Sequence, residues 1–117
     1  MRGHKDLIVW QKSKDLAIVV YRVTESFPKC EQFGIASQIR RSAISIPSNI
    51  AEGSRRNSRK EFLNFLSIAY ASGAELETQL IIACEVGLLS RSDYNTLEAN
   101  LNEIMRILNT MTSKTKD

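Results

Sequence analysis

The sequence predicts an all-α protein, an antiparallel up-down four-helix bundle. Three observations carry this. Apolar residues recur every three or four positions through four long stretches, the period of one helix face. Only two prolines and five glycines punctuate 117 residues, too few breaks for many short strands. The connections between stretches are short, as antiparallel neighbours require.

The first six residues read as a flexible polar arm. Helix 1 is expected from Leu7 to Ser26. Leu16, Val20, Val23 and Phe27 form its main stripe, with Trp10, Ala17 and Tyr21 alongside. The β-branched run Ile18-Val19-Val20 could suit a strand, but the length and the polar Lys12, Ser13, Lys14 and Asp15 favour helix. Trp10 reads as a core residue rather than a base-stacking platform, since no second aromatic pairs with it. Pro28 ends the helix by disfavouring a helical Phe27.

Helix 2 is expected from Gln32 to Glu52. Ile39, Ala43, Ile46 and Ile50 form one stripe. Well round from it lie Arg40, Ile44 and Ala51, with Arg41 and Ser48 nearer the edge. A solvated face would not normally carry Ile44 and Ala51 among so many small residues, so Ile44, Ser48 and Ala51 are assigned to an interface between copies. Pro47 removes a backbone donor and crowds the Ala43 carbonyl, which predicts a kink. Gly53 is expected to make a left-handed exit.

Ser58 with Glu61 is a capping box opening helix 3, expected from Arg59 to Val86, about 40 Å long. Phe62, Leu66, Ala69, Gly73, Leu76, Leu80 and Ala83 form its stripe, with Leu63, Tyr70, Ala74 and Ile81 beside it. Ala69, Ser72, Gly73 and Ala74 make a small-residue waist suited to close helix approach. Gly87 to Ser90 closes this helix. Ser90, with Ser92 as the competing cap, opens helix 4 over Arg91 to Thr112. Its Tyr94, Leu97, Leu101, Ile104, Leu108 and Met111 follow a bundle seam. A polar tail over 113–117 is expected to fray, leaving one bundle domain over 7–112.

Composition is ordinary for a globular chain, 43% hydrophobic and 25% charged. The charge is uneven. Residues 1–60 carry 12 Lys/Arg against 5 Asp/Glu, and residues 61–117 carry 4 against 8. This asymmetry fits an anionic partner, self-association through unlike surfaces, or two hairpins that complement each other within one fold. Cys30, in a loop, and Cys84, a small buried hydrophobe on helix 3, do not make a disulfide framework. No secretory signal and no apolar run long enough for a membrane span is evident, which places the protein in the cytoplasm.

No catalytic constellation is found, so the chain is read as non-enzymatic and needing no cofactor. His4 is the single histidine, which excludes a His-based triad or a multi-histidine metal site by count. Glu75, Glu77 and Glu85 lack the Glu-x-x-His partners of a di-metal bundle. They read instead as structural acids for Arg40, Arg41 or Lys12. No glycine-rich phosphate loop occurs. What remains is a basic set: Arg40 and Arg41 on helix 2, then Arg55, Arg56, Arg59 and Lys60 around the next turn. Arg forks and a helix N-terminus suit phosphate oxygens. A solvated turn with salt bridges between subunits is the alternative.

The stretch Gln38 to Gly53, QIRRSAISIPSNIAEG, resembles the signature of the four-helix-bundle proteins encoded by 23S rRNA intervening sequences. Leu7 to Lys12, Tyr70 to Leu80 and Gly87 to Ser90 are similar to that family in the same order, so the resemblance spans about Leu7 to Leu108. It implies a bacterial protein that assembles as a ring-shaped homopentamer. A relative, the accessory variability determinant of diversity-generating retroelements, associates with a reverse transcriptase and binds nucleic acid through basic surfaces. The resemblance thus implies nucleic-acid binding, of RNA first, or recruitment of a partner protein such as a reverse transcriptase. Arg40, Arg41, Arg55 and Arg56 fall in or beside the signature, without the family assigning a role to each.

Overall fold

The computed structural model describes residues 3–113. Four helices make up the fold: α1 (Ile8–Thr24), α2 (Ile35–Ser54), α3 (Arg59–Glu85) and α4 (Arg91–Ser113). Short 3-10 turns at His4–Asp6 and Lys29–Glu31 precede α1 and α2, and no strand occurs among the described residues. The bundle measures 44 × 22 × 20 Å. Helices α1 and α3 each pack against both α2 and α4, which closes a square of four. Of the polar tail expected over 113–117, only Ser113 is described, as the last residue of α4; the rest lies outside the described residues.

The expected stripes become the core. Leu16, Val20, Ile39, Ile46, Ile50, Leu66, Leu76, Leu80, Leu97, Leu101, Ile104 and Leu108 are all buried. Burying each large aliphatic side chain stabilises the fold by about 1.5–3 kcal/mol before chain entropy is counted. Four hydroxyls are buried with them, and each has an acceptor. Ser13 donates to the Trp10 carbonyl, Thr24 to the Val20 carbonyl, Ser54 to the Ala51 carbonyl, and Ser42 to the Glu75 carboxylate at 2.8 Å. Three of these bonds close within a helix turn, so a hydroxyl sits in the core without an unpaired polar atom.

Several expectations need correction. Helix α2 starts three residues later than expected, because Gly34 takes a non-helical conformation (φ −102°, ψ −114°). It contains Pro47 and extends to Ser54, two residues beyond the expected Glu52. Gly53 makes no left-handed exit; it lies inside α2, buried against Phe62 and Phe65 of α3. Here glycine serves close packing. The one left-handed residue among those described is Gly87, with φ 85°. The Leu88 amide donates to the Ala83 carbonyl at 2.9 Å and the Gly87 amide to the Cys84 carbonyl at 3.1 Å, a Schellman closure of α3.

Both serine caps form. Ser58 accepts from the Glu61 amide at 3.1 Å, and Ser90, not Ser92, accepts from the Asp93 amide at 3.0 Å. The small-residue waist is used on two sides: Gly73 receives Met105 of α4, and Ser72 shares a 2.7 Å hydrogen bond with Ser45 of α2. His4–Asp6 is a turn, with His4 edge-on to Trp10 at 4.8 Å. Trp10 and Cys84 are half-buried against the core rather than inside it, and Cys30 is exposed in the turn before α2.

Candidate nucleic-acid interface

Arg40 and Arg41 lie on α2, Arg55 and Arg56 just past its end, and Arg59 and Lys60 open α3, so the length of α2 separates them. Arg41 and Arg55 are 14 residues apart, about 21 Å along the axis at 1.5 Å per residue. The basic set is therefore two surfaces, one at each end of α2, not one cluster.

The first lies at the joint between α2 and α3. Arg55, Arg59 and Lys60 are exposed, and among the described residues no acceptor or carboxylate meets their side chains. Arg56 differs. It pairs with Glu52 one turn back at 2.8 Å and lies over the Phe65 ring at 4.7 Å. It thus serves the helix joint, and three cations remain free there. Ser58 already engages the Glu61 amide, so only part of the α3 N-terminal partial charge faces solvent.

The second lies where the start of α2 meets α1. Arg40 does not pair with a glutamate, contrary to expectation. Its Nε donates to Thr24 Oγ1 at 2.7 Å and its guanidinium lies 4.9 Å over the Tyr21 ring. Thr24 is buried, and its own hydroxyl donates to the Val20 carbonyl at 2.8 Å. A buried threonine and an aromatic face thus hold Arg40 in one orientation. Arg41 is exposed beside it. The acids read as partners for these arginines are elsewhere: Glu75 accepts from Ser42, Glu77 and Glu85 are exposed, and Lys12 pairs with Glu103 of α4 at 2.5 Å.

Two depressions open on this α1/α2 face. One, of about 390 Å³, is lined by Tyr21, Gln32, Phe33, Ser37, Arg40 and Arg41, and reaches Ile44 and Ser45. The other, about 360 Å³ and almost wholly apolar, lies between Ile18 and Tyr21 of α1 and Ile44 and Pro47 of α2. Ile44 is 41% exposed at the boundary of the two, and the outer ridge of α2 continues through Ser48 and Ala51.

Phe33 and Thr24 are the residues that periodicity missed. Phe33 is 98% exposed. It stands just before Gly34, outside every stripe, and that isolation was its only signal. Thr24 is a polar residue on a buried face, visible only once Arg40 is placed.

The sequence profile of the 23S rRNA-intervening sequence protein family matches residues 5–110. No curated protein matches the chain. The fold is similar to a crystal structure from Bacteroides thetaiotaomicron, a protein of unknown function from the S23 ribosomal protein family. The TM-score is 0.81 at 28% identity, covering 90% of this chain and 98% of that one. No helix among the described residues is long and apolar enough to cross a membrane. Profile, fold and the signature along α2 agree over nearly the whole chain, which belongs to the 23S rRNA-intervening sequence protein family.

Proposed function

We propose that this chain is a non-enzymatic, oligomeric nucleic-acid-binding protein that holds RNA through phosphate contacts. The observation that carries the reading is the trio Arg55, Arg59 and Lys60, exposed at one end of the bundle with no partner among the described residues. Exposed cations grouped at one helix joint contribute counterion-release affinity without sequence readout. Arg40 and Arg41 add a second basic surface, and several copies would multiply both. The family's link to rRNA intervening sequences favours RNA over DNA.

Self-association is part of the proposal. The ridge Ile44, Ser48 and Ala51 and the apolar depression beside it offer one face. A different exposed apolar line on α3, Ile68, Ile82 and Val86, offers another on the same chain. Two unlike apolar faces suit head-to-tail contacts that close into a ring, consistent with the homopentamer implied by the family resemblance.

The test is binding of a labelled RNA hairpin and a DNA duplex across a salt series, with mass followed by light scattering. Tight binding with a steep negative salt slope, lost in the Arg55→Glu, Arg59→Glu, Lys60→Glu variant while the helical circular-dichroism signal stays, is expected. An oligomer that binds neither probe at low salt would overturn the reading and turn the assignment to a scaffold for a partner protein, such as a reverse transcriptase.

A further inference from the structure

We infer that the depression between the start of α2 and the end of α1 takes one unpaired nucleotide, its phosphate on Arg40 and Arg41 and its base on the ring of Phe33. This deepens the nucleic-acid reading above and rests on it. It assigns an unpaired strand as the ligand at this end of the bundle.

The anion half of the site is ordered before any ligand arrives. Thr24 and Tyr21 occupy Arg40 Nε and one guanidinium face, while among the described residues no acceptor meets its terminal nitrogens. Those terminal N–H groups form the fork that suits two phosphate oxygens. Arg41 adds a second free guanidinium, and Ser37 a hydroxyl, from the same helix. Among the described residues no carboxylate lines the depression; Glu31, whose carboxylate lies near Gly34, is outside it.

The base half is Phe33. A phenylalanine 98% exposed leaves its apolar ring in water, an arrangement that a stacked base relieves. Stacking needs an open base face, which a duplex keeps covered, so the ring selects unpaired nucleotides. The volume, about 390 Å³, falls at the lower end of ligand-site sizes, about 300–1,000 Å³, which suits a single nucleotide. The apolar ridge assigned to subunit contact starts at Ile44, which also borders this depression, and runs away from this end toward Ala51, so the two uses meet at Ile44 and otherwise lie in succession along α2.

The experiment compares full-length wild type with Phe33→Ala, Phe33→Trp and Arg41→Gln. The probes are a short unstructured single-stranded RNA, an abasic strand of the same length, and the RNA as a duplex. Phe33→Ala is expected to weaken the single strand by about 5- to 150-fold and to leave the abasic strand and duplex unchanged. Phe33→Trp is expected to restore binding. Arg41→Gln is expected to weaken both single strands and to lower the salt slope by about one. Wild type that binds duplex but not single strand would overturn the pocket and leave the Proposed function standing. Wild type that binds no probe would overturn both. Single-strand affinity unchanged by Phe33→Ala, or a fall in mass in that variant, would also overturn the pocket, the latter making Phe33 a subunit contact.

Discussion

Gly53 of α2 lies so close to Phe65 of α3 that a Cβ on residue 53 would stand 2.7 Å from the Phe65 Cβ. The obstacle is the rooted end of an aromatic side chain, backed by Phe62 at 3.2 Å, so neither helix can yield locally. Gly53→Ala gains about 1 kcal/mol of helix propensity against an overpacking cost of typically 1–3 kcal/mol. A net loss of stability is expected, read as a lower urea midpoint. Gly73→Ala meets only the tip of Met105, a flexible side chain that can turn away. It should change stability by less than about 1 kcal/mol, and the ranking of the two variants checks the argument.

Thr24→Val removes the oxygen that accepts from Arg40 Nε while keeping the shape of the side chain. A buried donor left without its partner costs about 1–3 kcal/mol, more when charged; Arg40 is only half-buried, so a loss at the lower end of that range is expected. The same change releases the Arg40 fork. Chemical denaturation together with single-strand binding should show both losses in one variant.

The serine caps make a matched pair of controls. Ser58→Ala and Ser90→Ala each remove one acceptor from a first-turn amide. Each should lower stability by about 1 kcal/mol in thermal unfolding, additively, since the two sit at the starts of different helices.

Glu103 offers a pH test. The hydrogen bond from Lys12, with its charge, holds this carboxyl below the usual carboxylate value. A depressed folded pKa means the pair contributes above the unfolded carboxylate pKa and loses its contribution as pH falls through the folded value. Lys12→Met should raise the Glu103 pKa toward the usual value, measured by a carboxyl-selective NMR titration. Both side chains are nearly half exposed, so the change in stability at neutral pH should be small.

Ile44→Asp and Ala51→Glu place charge on the ridge assigned to self-association. Ile44 is exposed and Ala51 half-buried on the outer ridge of α2, so the fold should survive, with an unchanged helical circular-dichroism signal. Light scattering should then show a lower mass than wild type at the same concentration.

Composition and periodicity alone lead to an all-helical bundle. Helix periodicity placed the stripes of α3 and α4 within a residue or two, because a stripe of buried side chains repeating every three or four positions has one geometric solution. Both serine caps and the Gly87 closure were legible for the same reason: each is a local bond within a few residues. What only the tertiary structure decided lies between helices. Gly53 looked like a helix stop until Phe65 was packed against it. Arg40 looked like a salt-bridge partner until Thr24 and Tyr21 arrived from α1. The arginines looked like one cluster until about 21 Å of α2 separated them. Spacing along a chain reports which side chains share a face. It does not report what a second helix brings to that face: Thr24 and Tyr21 of α1 hold Arg40, and Phe65 of α3 lies under Arg56.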